Sequence, residues 1–412
     1  MSESTLVYPL ENPCPVCAHT LAVPFFAGGR QPLATLGWPQ SREEALAMPR
    51  LPLDFVQCPR CSHVWNTAFS YDDVPYRSQP NRMYNSGRIW QGHLAETRDR
   101  LLAYLPSAPT VVEIGCGDGH FLRGLAEARA GQGDYIGFDP NSNPETGRGV
   151  RFLARLFEPL RDVPDLRPDA IVIRHVLEHL TAPAPLLEQL AWAVMQSGKA
   201  CHLFAEVPCI DRVFDSDRLA DFFYEHVSHF TSESFRHLLA RAGSLCEMAH
   251  GYDGEVVFAC VELAIAPARA ARAAAAAAFA QRSHRNRARI ADKLAALHAS
   301  GASVAIWGGT GKSAAFIHHF ALDAARFPLV VDSDAAKAGT YVPGTGQRIH
   351  FRDQLKTQPV DVVLIPTQWR AGDIVAEMAR EGIVAGQVLI EHGGDLVDFF
   401  AGTHPYRQRA TC

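Results

Sequence analysis

The chain has 412 residues, of which 47% are hydrophobic and 20% charged, and its net charge is −5. This length predicts two or three domains, the composition is typical of a folded globular protein, and the negative charge argues against a nucleic-acid partner. The sequence has no uninterrupted run of eighteen apolar residues and no signal-peptide pattern at its start, so we expect neither a membrane span nor secretion. Ten cysteines in such a chain favour free thiols or metal ligation in the cytoplasm.

Two C-x-x-C pairs lie near the start of the chain, at Cys14 and Cys17 and at Cys58 and Cys61. Each pair places two thiolates on one side of a tight turn, and two pairs supply the four soft ligands of a closed tetrahedral zinc site. A redox pair would stand beside a βαβ pattern, which this region lacks. The spacing therefore predicts structural zinc in a small lobe over residues 1–75, with four free thiols as the alternative.

A glycine-rich turn follows a β-branched apolar run in TVVEIGCGDGHFLRGLAEA, which begins at Thr110. Three alternating glycines, starting at Gly115, let the backbone approach a ligand at the amino end of the next helix. Glu113 precedes the first glycine by two residues, and Asp139 ends the next strand, where a carboxylate can bind both hydroxyls of a ribose. This spacing resembles the S-adenosylmethionine site of class I methyltransferases. An NAD site is the alternative, because it also binds an adenosine at the end of a parallel sheet.

Alternating strand and helix patterns continue beyond this turn and predict a doubly wound α/β core over residues 76–265. The stretch VRFLARLF is predicted to be the third strand, PDAIVIRHVLEHL a buried strand, and APLLEQLAWAVMQSG an amphipathic helix ended by Gly198. The predicted methyl-donor residues are Glu113, Gly115, Cys116, Gly117, Asp139, Pro140, Phe157, Arg174 and His175.

The segment DFFYEHVSHFTSESFRHLLARAG starts with aromatic and histidine residues and continues as a helix, predicted to begin at Thr231 or Ser232 and to end at Gly243. A histidine beside a carboxylate can accept a proton near neutral pH. The candidate catalytic residues are His226, Glu225, Tyr224 and His179. A metal site that uses some of these side chains with Glu178 is an alternative, but the spacings match no zinc-protease motif. Ordinary surface polarity is the other alternative.

The last third of the chain begins with an alanine-rich stretch that predicts one or two connector helices over residues 266–300. Strand and helix patterns then predict a second Rossmann-like α/β domain over residues 301–412. This domain opens with AIWGGTGKSAAF, which looks like an ATP-binding P-loop. The first glycine of a P-loop is missing, however, because Ile306 stands in its place.

Two interpretations remain for this second glycine turn. Gly309, Gly311 and Ala314, with Asp332 after the next strand, fit the dinucleotide pattern, but the domain is too small to supply a dehydrogenase's substrate domain as well. The other interpretation is that the helix start binds a phosphate of the acceptor. Gly309 and Lys312 are therefore predicted to bind substrate.

Several motifs occur in one order along nearly the whole chain: the two cysteine pairs with GRQPLA between them, EIGCGDGHFL, HVLEHL, EVP, FYEHVSHFT and WGGTGKS…VVDSDAAKAGTYVPGT. Together they resemble the sugar C-methyltransferases of deoxysugar biosynthesis, of which the nucleotide-linked 3-keto-sugar C-3 methyltransferases are the known type. The resemblance implies a zinc-binding domain, a methyltransferase core and a second Rossmann-like domain that act on a nucleotide sugar. It also implies that His226 is the general base, Glu225 the adjacent acid and His179 a second active-site histidine.

The sequence departs from that family at the expected acceptor pocket. The family's tyrosine position falls on Phe223, one step before Tyr224, and the family's aromatic residue after the histidine is His229. The usual HGGS stretch is GYDGE, at residues 251–255. Phe223 and His229 are therefore predicted to contact the substrate, and the departures bear on the identity of the acceptor more than on methyl transfer.

The sequence thus predicts a cytoplasmic, S-adenosylmethionine-dependent methyltransferase with structural zinc. Its predicted reaction is C-methylation of a nucleotide-linked keto sugar, or of a related small metabolite that bears phosphate or a nucleotide, through an enolate formed by a general base. The alternatives are an O- or N-methyltransferase of a small metabolite, an NAD-dependent oxidoreductase, and a non-catalytic binding protein that uses the zinc lobe as an adaptor.

Overall fold

A computed structural model of the chain describes residues 8–36, 38–76, 86–141 and 149–409. The chain divides into two compact units, Met1–Pro267 and Ala268–Cys412. The first unit contains the cysteine pairs and the first glycine turn, and the second contains most of the predicted connector and the second glycine turn. The four-part division given above is finer than this one and stays a prediction.

The described strands of the first unit form two sheets. In chain order they are β1 (Leu10–Glu11), β2 (Leu21–Gln31), β3 (Leu51–Gln57), β4 (Val64–Asn66), β5 (Thr110–Ile114), β6 (Asp134–Phe138), β7 (Val150–Leu153), β8 (Ala170–Arg174), β9 (His202–Pro208), β10 (Ser228–His229), β11 (Gly243–Gly251) and β12 (Val256–Leu263). The helices are α1 (Arg42–Ala47), α2 (Arg88–Leu102), α3 (His120–Ala128), α4 (Pro159–Leu166), α5 (Pro183–Ser197), α6 (Asp211–Ser216) and α7 (Ser232–Leu239).

The smaller sheet is antiparallel and has the strand order β1-β2-β3-β4-β10. Four of its strands come from the region of the cysteine pairs, but β10 comes from the histidine-rich segment: Ser228 pairs with Trp65, and His229 with Val64. Apolar side chains of the two regions, including Phe55 and Tyr224, pack in one buried cluster. The cysteine-bearing lobe is therefore joined to the histidine-rich segment by backbone hydrogen bonds and by a shared core.

The larger sheet has the order β11-β12-β9-β8-β5-β6-β7, in which β9, β8, β5, β6 and β7 are parallel and β12 is antiparallel to its neighbours. Its central strands are mostly apolar, as expected for a sheet with helices on both faces, with the buried acids Glu113 and Glu206 as exceptions. This is the mixed sheet of a class I methyltransferase, and the prediction of a doubly wound core is confirmed. The strand order reverses at β5, so the carboxyl ends of β5 and β8 border the crevice where such sheets bind ligands.

The second unit is a single six-stranded sheet with helices. Its strands are β13 (Val304–Trp307), β14 (Leu329–Asp332), β15 (Ile349–Phe351), β16 (Val360–Ile365), β17 (Ala385–His392) and β18 (Asp395–Asp398). Its helices are α8 (Pro267–Ala299), which starts one residue before the unit, α9 (Lys312–His319), α10 (Gln354–Thr357) and α11 (Ala371–Glu381). The strand order is β15-β14-β13-β16-β17-β18, parallel except for β18. The predicted Rossmann-like α/β domain is confirmed.

The connector is one helix of 33 residues, α8, because its alanine-rich sequence has no breaker before Gly301. Its end joins the core of the second unit through the buried side chains of Ile290 and Leu294. None of the helices in the described ranges, α8 included, has the length and hydropathy needed to cross a membrane.

Three elements differ from the sequence prediction. The third strand, β7, ends at Leu153, after which Arg155 turns to pair with Asp162 at 2.8 Å. Helix α7 ends at Leu239 instead of Gly243, because Gly243 already pairs in β11, where a Cβ atom would lie 2.0 Å from a carbonyl oxygen. The hairpin that adds β18 was not predicted.

Candidate active site

The first glycine turn, residues 115–119, joins β5 to α3 and requires its glycines for steric reasons. Gly115 and Gly119 have φ angles of +71° and +73°, which disfavour any side chain. A Cβ atom at Gly115 would lie 2.4 Å from the Val176 side chain, and one at Gly119 would lie 2.4 Å from the Phe152 ring. The backbone of this turn is therefore accessible to a ligand only because these positions have no side chain.

Asp139 follows β6 and is held beside the glycine turn. One carboxylate oxygen accepts a hydrogen bond from the amide of Gly117 at 3.1 Å, and the other accepts one from the amide of Asn141 at 2.8 Å. The side chain is half-buried, and Pro140 beside it is exposed. This placement fits a carboxylate that binds hydroxyl groups of a ligand in the crevice, and the ribose role of Asp139 stays a prediction.

Glu113 lies buried at the end of β5, beneath the turn. Its Oε2 atom has no hydrogen-bond partner among the described residues, and burial raises the pKa of its carboxyl to about 8. A buried carboxyl oxygen without a partner fits a site that receives a hydrogen-bond donor from a ligand. Cys116 is also buried, and its Sγ atom lies where a side chain at Gly137 would stand. The residues of the turn therefore fit S-adenosylmethionine.

The other predicted donor residues lie around the same crevice with different environments. Phe157 is half-buried, and its ring packs edge-to-face on Phe138 with 4.9 Å between centroids. Arg174 points inward, where its guanidinium donates to Glu206 at 2.6 Å and lies over the Phe121 ring. The Arg174 side chain is thus occupied by protein groups. Its predicted contact with the methyl donor stays a prediction.

His175 is part of a buried charged network that the sequence did not indicate. Its ring nitrogens lie 3.0 Å from Glu206 and 3.4 Å from Glu178, and its φ angle is +52°. Burial alone would lower the pKa of His175, but the two carboxylates raise it to about 9. Glu206 also faces His93 at 2.7 Å, and its cationic partners hold its pKa well below the usual range despite burial. His175 is therefore a positively charged imidazolium that lies between the carboxylates of Glu178 and Glu206.

His226 lies in an enclosure of aromatic rings. Its ring centroid is 4.2 Å from that of Phe223, 4.9 Å from that of His179 and 6.0 Å from that of His229. Burial, with the neighbouring histidines, holds the pKa of His226 well below its ordinary value. The imidazole is neutral at neutral pH and has a nitrogen lone pair that can take a proton. The structure thus brings together four of the predicted site residues.

His179 is fixed on the backbone next to His226. Its Nδ1 atom lies 2.8 Å from the carbonyl oxygen of Glu225 and 2.9 Å from the hydroxyl of Tyr76. The Tyr76 hydroxyl also donates to that carbonyl at 2.9 Å. Tyr76 was not predicted from the sequence, because it comes from the region between the cysteine lobe and α2 and has no local motif.

The side chain of Glu225 points into the cysteine-bearing lobe. Its Oε1 atom accepts hydrogen bonds from the amides of Ala34, Thr35 and Leu36, at 2.8, 2.7 and 3.1 Å, and from the Thr35 hydroxyl at 3.2 Å. This oxygen is fully engaged by one loop of the lobe. The structure therefore supports an anchoring role for Glu225, and its predicted role as the acid beside His226 stays a prediction.

Tyr224 is buried, and its hydroxyl likewise points to the amino-terminal lobe. The hydroxyl donates to Asp73 at 2.9 Å and accepts from the amide of Ser70 at 2.9 Å. Burial, with Asp73, raises the pKa of Tyr224 to about 12. No hydrogen bond joins this hydroxyl to His226 within the described parts of the chain, and the catalytic role of Tyr224 stays a prediction.

The two predicted acceptor residues differ in exposure. Phe223 is half-buried against His226, whereas His229 is buried and its Nε2 atom donates to the carbonyl oxygen of Asp221 at 2.9 Å. Burial lowers the pKa of His229 to about 4, so this ring is neutral and packs like an aromatic residue against Phe55 and Phe222. In this environment His229 replaces an aromatic side chain without adding a charge.

The four predicted metal ligands form one cluster. The Sγ atoms of Cys14 and Cys61 are 3.6 Å apart, those of Cys17 and Cys58 are 3.5 Å apart, and all four lie within 4.8 Å of one another. A disulfide would require about 2.05 Å, whereas tetrahedral thiolates at about 2.3 Å from zinc are separated by about 3.8 Å. A hydrogen bond from Cys61 lowers the pKa of Cys14 to about 5, while burial raises that of Cys58 to about 11. The cluster is consistent with structural zinc, which would let all four thiols ionise.

The second glycine turn, residues 308–311, has a different environment. Lys312 is exposed, and its Nζ atom lies 4.1 Å from the centroid of the Trp369 ring. Gly309 is buried, with Ile349 where a side chain would stand. Asp332 ends β14, and Lys337 donates to it at 3.1 Å. The acid expected to bind a ribose in a dinucleotide site is thus already paired with a cation.

Comparisons with known proteins agree with this architecture. Residues 87–244 match the model of a methyltransferase domain, and residues 264–391 match that of a C-methyltransferase C-terminal domain. No curated protein sequence matches the chain significantly. Solved structures with similarity include the plantazolicin methyltransferase BpumL in complex with SAH, at 14% identity and a TM-score of 0.33, covering 43% of this chain and 84% of that one.

Two further structures are comparable in similarity. They are the magnesium protoporphyrin IX methyltransferase of Synechocystis PCC 6803 with bound SAH (15% identity, TM-score 0.31, 44% of this chain and 90% of that one) and a SAM-dependent methyltransferase of Aquifex aeolicus (12%, 0.32, 44% and 100%). The sheet order and the two matched domains decide the class. The chain is a class I, S-adenosylmethionine-dependent methyltransferase with a C-methyltransferase C-terminal domain, a combination typical of the sugar C-methyltransferases.

Proposed function

We propose that this enzyme methylates a carbon atom next to the keto group of a nucleotide-linked sugar, or of a related small metabolite, with His226 as the general base. The observation that carries the proposal is the neutral imidazole of His226, enclosed by Phe223, His179 and His229 in a unit that also holds the methyl-donor turn. The match of residues 264–391 to a C-methyltransferase domain supports carbon as the methylated atom.

The reaction begins at the carbon that the keto group acidifies. Its C–H bond breaks, the proton forms an N–H bond on His226, and the electron pair stays on the acceptor as an enolate. S-Adenosylmethionine, when bound, would supply an electrophilic methyl group. The enolate carbon would bond to that methyl as its bond to sulfur breaks, and S-adenosylhomocysteine would leave. Holding both reactants in position can contribute about 7–11 kcal/mol, and a placed base about 10²–10⁴-fold in rate.

The surroundings of His226 hold it in place during this step. Glu225 is tied by its side chain to the loop at residues 34–36 and by its carbonyl oxygen to Tyr76 and His179. The backbone immediately before His226 is thus fixed from two sides. We assign Glu225 to positioning, and His179 to the wall of the acceptor pocket with Phe223.

The second unit would recognise the phosphate-bearing end of the acceptor. Lys312 begins α9, so its ammonium group and the first amides of the helix offer positive charge to a phosphate. Gly309 lies inside the turn, so its contribution is to shape the loop. The pairing of Asp332 with Lys337 weighs against an NAD site in the same turn.

Incubation with S-adenosylmethionine and a nucleoside-diphosphate-linked 3-keto deoxysugar tests this function. The expected product carries a new C–CH₃ group by NMR. With SAH in place of the donor, the acidic C–H position should exchange with D₂O. His226→Asn should lose both reactions while binding SAH normally, and the exposed His237→Asn variant is the matched control. An O-CH₃ product, or full exchange in His226→Asn, would contradict the proposal.

A further inference from the structure

Glu178 is a buried carboxylate that no role described so far uses. It lies in a single helical turn, Leu177–His179, directly after β8, and its relative exposure is 1%. Neither carboxylate oxygen has a hydrogen-bond partner among the described residues, and His175 Nδ1 lies 3.4 Å from Oε1. A buried carboxylate loses its hydration; the His175 imidazolium compensates the charge of Glu178, but both oxygens still lack a hydrogen bond in the described ranges and can accept one from another donor.

The Glu178 carboxylate, whose oxygens lack hydrogen bonds among the described residues, lies close to the histidines of the acceptor pocket. One oxygen of Glu178, one ring nitrogen of His179 and one ring nitrogen of His226 all lie within 4.8 Å of one another. His179 is already held through Nδ1 by the Glu225 carbonyl and the Tyr76 hydroxyl. Hydrogen bonds between catalytic groups are often long before substrate binds and shorten in the reacting complex.

Glu178 belongs to a series of buried charges. His175, positively charged, lies between Glu178 and Glu206. Glu206 is in turn paired with Arg174 at 2.6 Å. The buried charges are therefore ordered from Arg174 to Glu178, and the carboxylate at the end of the series faces His226.

Glu225, the neighbour of the base in sequence, is not placed for this task. Its Oε1 atom accepts four hydrogen bonds from Ala34, Thr35 and Leu36, which fix the carboxylate against the amino-terminal lobe. The Oε2 atom of Glu225 is buried without a hydrogen-bond partner among the described residues, as both oxygens of Glu178 are. Within the described ranges, however, Glu178 is the acid grouped within 4.8 Å with ring nitrogens of His179 and His226, so it is the better placed partner for a charge that develops on His226.

We propose that Glu178 is a positioning residue for His226, whose ring N–H it accepts when the imidazole takes the proton from the acceptor. The inference rests on the proposed role of His226 as general base. The proton moves from the acceptor carbon to His226, the electron pair remains in the enolate, and Glu178 accepts the hydrogen bond without taking the proton. The proton later leaves His226 for water. An acid that orients and stabilises a catalytic imidazolium in this way is a recurring arrangement in enzymes.

The kinetic test compares Glu178→Gln with Glu178→Asp on the 3-keto deoxysugar probe. We expect Glu178→Gln to lose roughly 10²-fold in kcat with KM and SAH affinity unchanged within about twofold, and Glu178→Asp to recover part of the loss. Glu262→Gln, an exposed carboxyl on β12, is the matched control. A loss that appears only in SAH affinity or Tm would mean that Glu178 is structural, and would overturn the inference.

The pH profile of activity distinguishes a role of Glu178 in orienting His226 from a general loss of structure in the variant. Several titratable groups lie near His226. The charges of His179, His229 and His175 lower its pKa, an oxygen of Glu178 lies within 4.8 Å of its ring, and Tyr76 contacts the neighbouring ring of His179. The base is active when neutral, so activity rises with pH through the pKa of His226. Removing the negative charge of Glu178 makes protonation harder, so the acidic limb should move to lower pH in Glu178→Gln. An unmoved limb would contradict the inference.

A measurement without acceptor distinguishes failure of this inference from failure of the proposed function. In ¹⁵N-histidine NMR spectra, His226 is assigned by the signal lost in His226→Asn. Its ring nitrogen shifts should change in Glu178→Gln and stay constant in Glu262→Gln, whatever the acceptor is. Unchanged ring nitrogen shifts of His226 in Glu178→Gln would contradict an interaction between these two side chains.

The same three side chains could instead bind a divalent cation. Adding Co²⁺ to the zinc-loaded protein tests this possibility. Visible absorption bands that require both Glu178 and His226 would identify a metal site, and would overturn the positioning role.

Discussion

The chain contains two glycine turns of similar local design, and their surroundings differ. Residues 115–119 and 308–311 each join the first core strand of a Rossmann-like sheet to a helix, with an acid after the second strand. At the first turn, Glu113 Oε2 has no hydrogen-bond partner in the part of the chain that the structure describes, and Asp139 accepts hydrogen bonds from the backbone amides of Gly117 and Asn141. At the second turn, Asp332 is paired with Lys337. The groups left without a protein partner, more than the glycines, distinguish a cofactor site from a turn of the same shape.

Metal removal should give the largest effect on methyl transfer. Of the two glycine turns, the first lies in the same unit as the cysteine cluster of the amino-terminal lobe. Structural zinc sites contribute about 10–16 kcal/mol in small domains, and β4 of this lobe pairs with β10 beside the base. Cys61→Ser is expected to lose zinc, measured by metal analysis, and with it methyl transfer. Cys246→Ser, which changes an exposed cysteine, is the control. A zinc-free Cys61→Ser protein with wild-type activity would show that the lobe does not position the base.

Alanine in each turn gives the next largest effect. In Gly115→Ala the new methyl group meets Val176 at 2.4 Å, so SAH affinity, measured by calorimetry, is expected to fall by more than about 10²-fold. Gly311→Ala also has a positive φ, +58°, with ψ at −127°, but open space around it, so only a backbone strain of about 1–3 kcal/mol applies. It should bind SAH normally. Equal losses in both variants would remove the distinction between the turns.

Asp139 at the first glycine turn and Asp332 at the second allow a further comparison of the two turns. Asp139→Asn is expected to weaken SAH binding about tenfold to a hundredfold, since hydrogen bonds to a charged group contribute about 1.5–3 kcal/mol. Asp332→Asn should leave SAH affinity unchanged, because this acid bonds to Lys337 and to the amide of Asp334. NAD binding by the wild-type protein that is lost in Asp332→Asn would reverse this assignment.

Lys312 should give the smallest effect. Lys312→Ala is expected to raise KM for the nucleotide-linked acceptor about fivefold, because one exposed cation contributes on the order of 1 kcal/mol to phosphate binding. Steady-state kinetics should show unchanged kcat, and calorimetry unchanged SAH affinity. Lys356→Ala, which removes another lysine of the second unit, is the control. An equal rise in KM for both variants would exclude a specific phosphate contact.

Local patterns predicted the elements whose cause is local. The β-branched run before Gly115, the C-x-x-C pairs and the alanine-rich connector each specify their structure within a few residues, and the sheets, the cysteine cluster and α8 follow those predictions. Helix α7 was predicted to continue to Gly243, but pairing of Gly243 with β12 ends it earlier. That contact lies outside any local window.

The candidate site was predicted in part for the same reason. His226 and His179 were found because their motifs resemble a family, and the structure brings their rings within 4.9 Å. Tyr76 and Glu206 were missed because they reach the site from distant positions in the chain. Tyr224 was a candidate catalytic residue because it lies in the same segment as His226. Its hydroxyl, however, bonds to Asp73, a partner that is distant in the chain.

The anchoring of Glu225 also has a consequence for the order of folding. Ala34 and Glu225 are separated by 191 positions in the chain, and bonds of such long range close late because the intervening loop must first lose its entropy. The first glycine turn packs against Phe152 and Val176, which are much closer to it in the chain than Ala34 is to Glu225. During refolding, the enzyme should therefore recover SAH binding before it recovers methyl transfer.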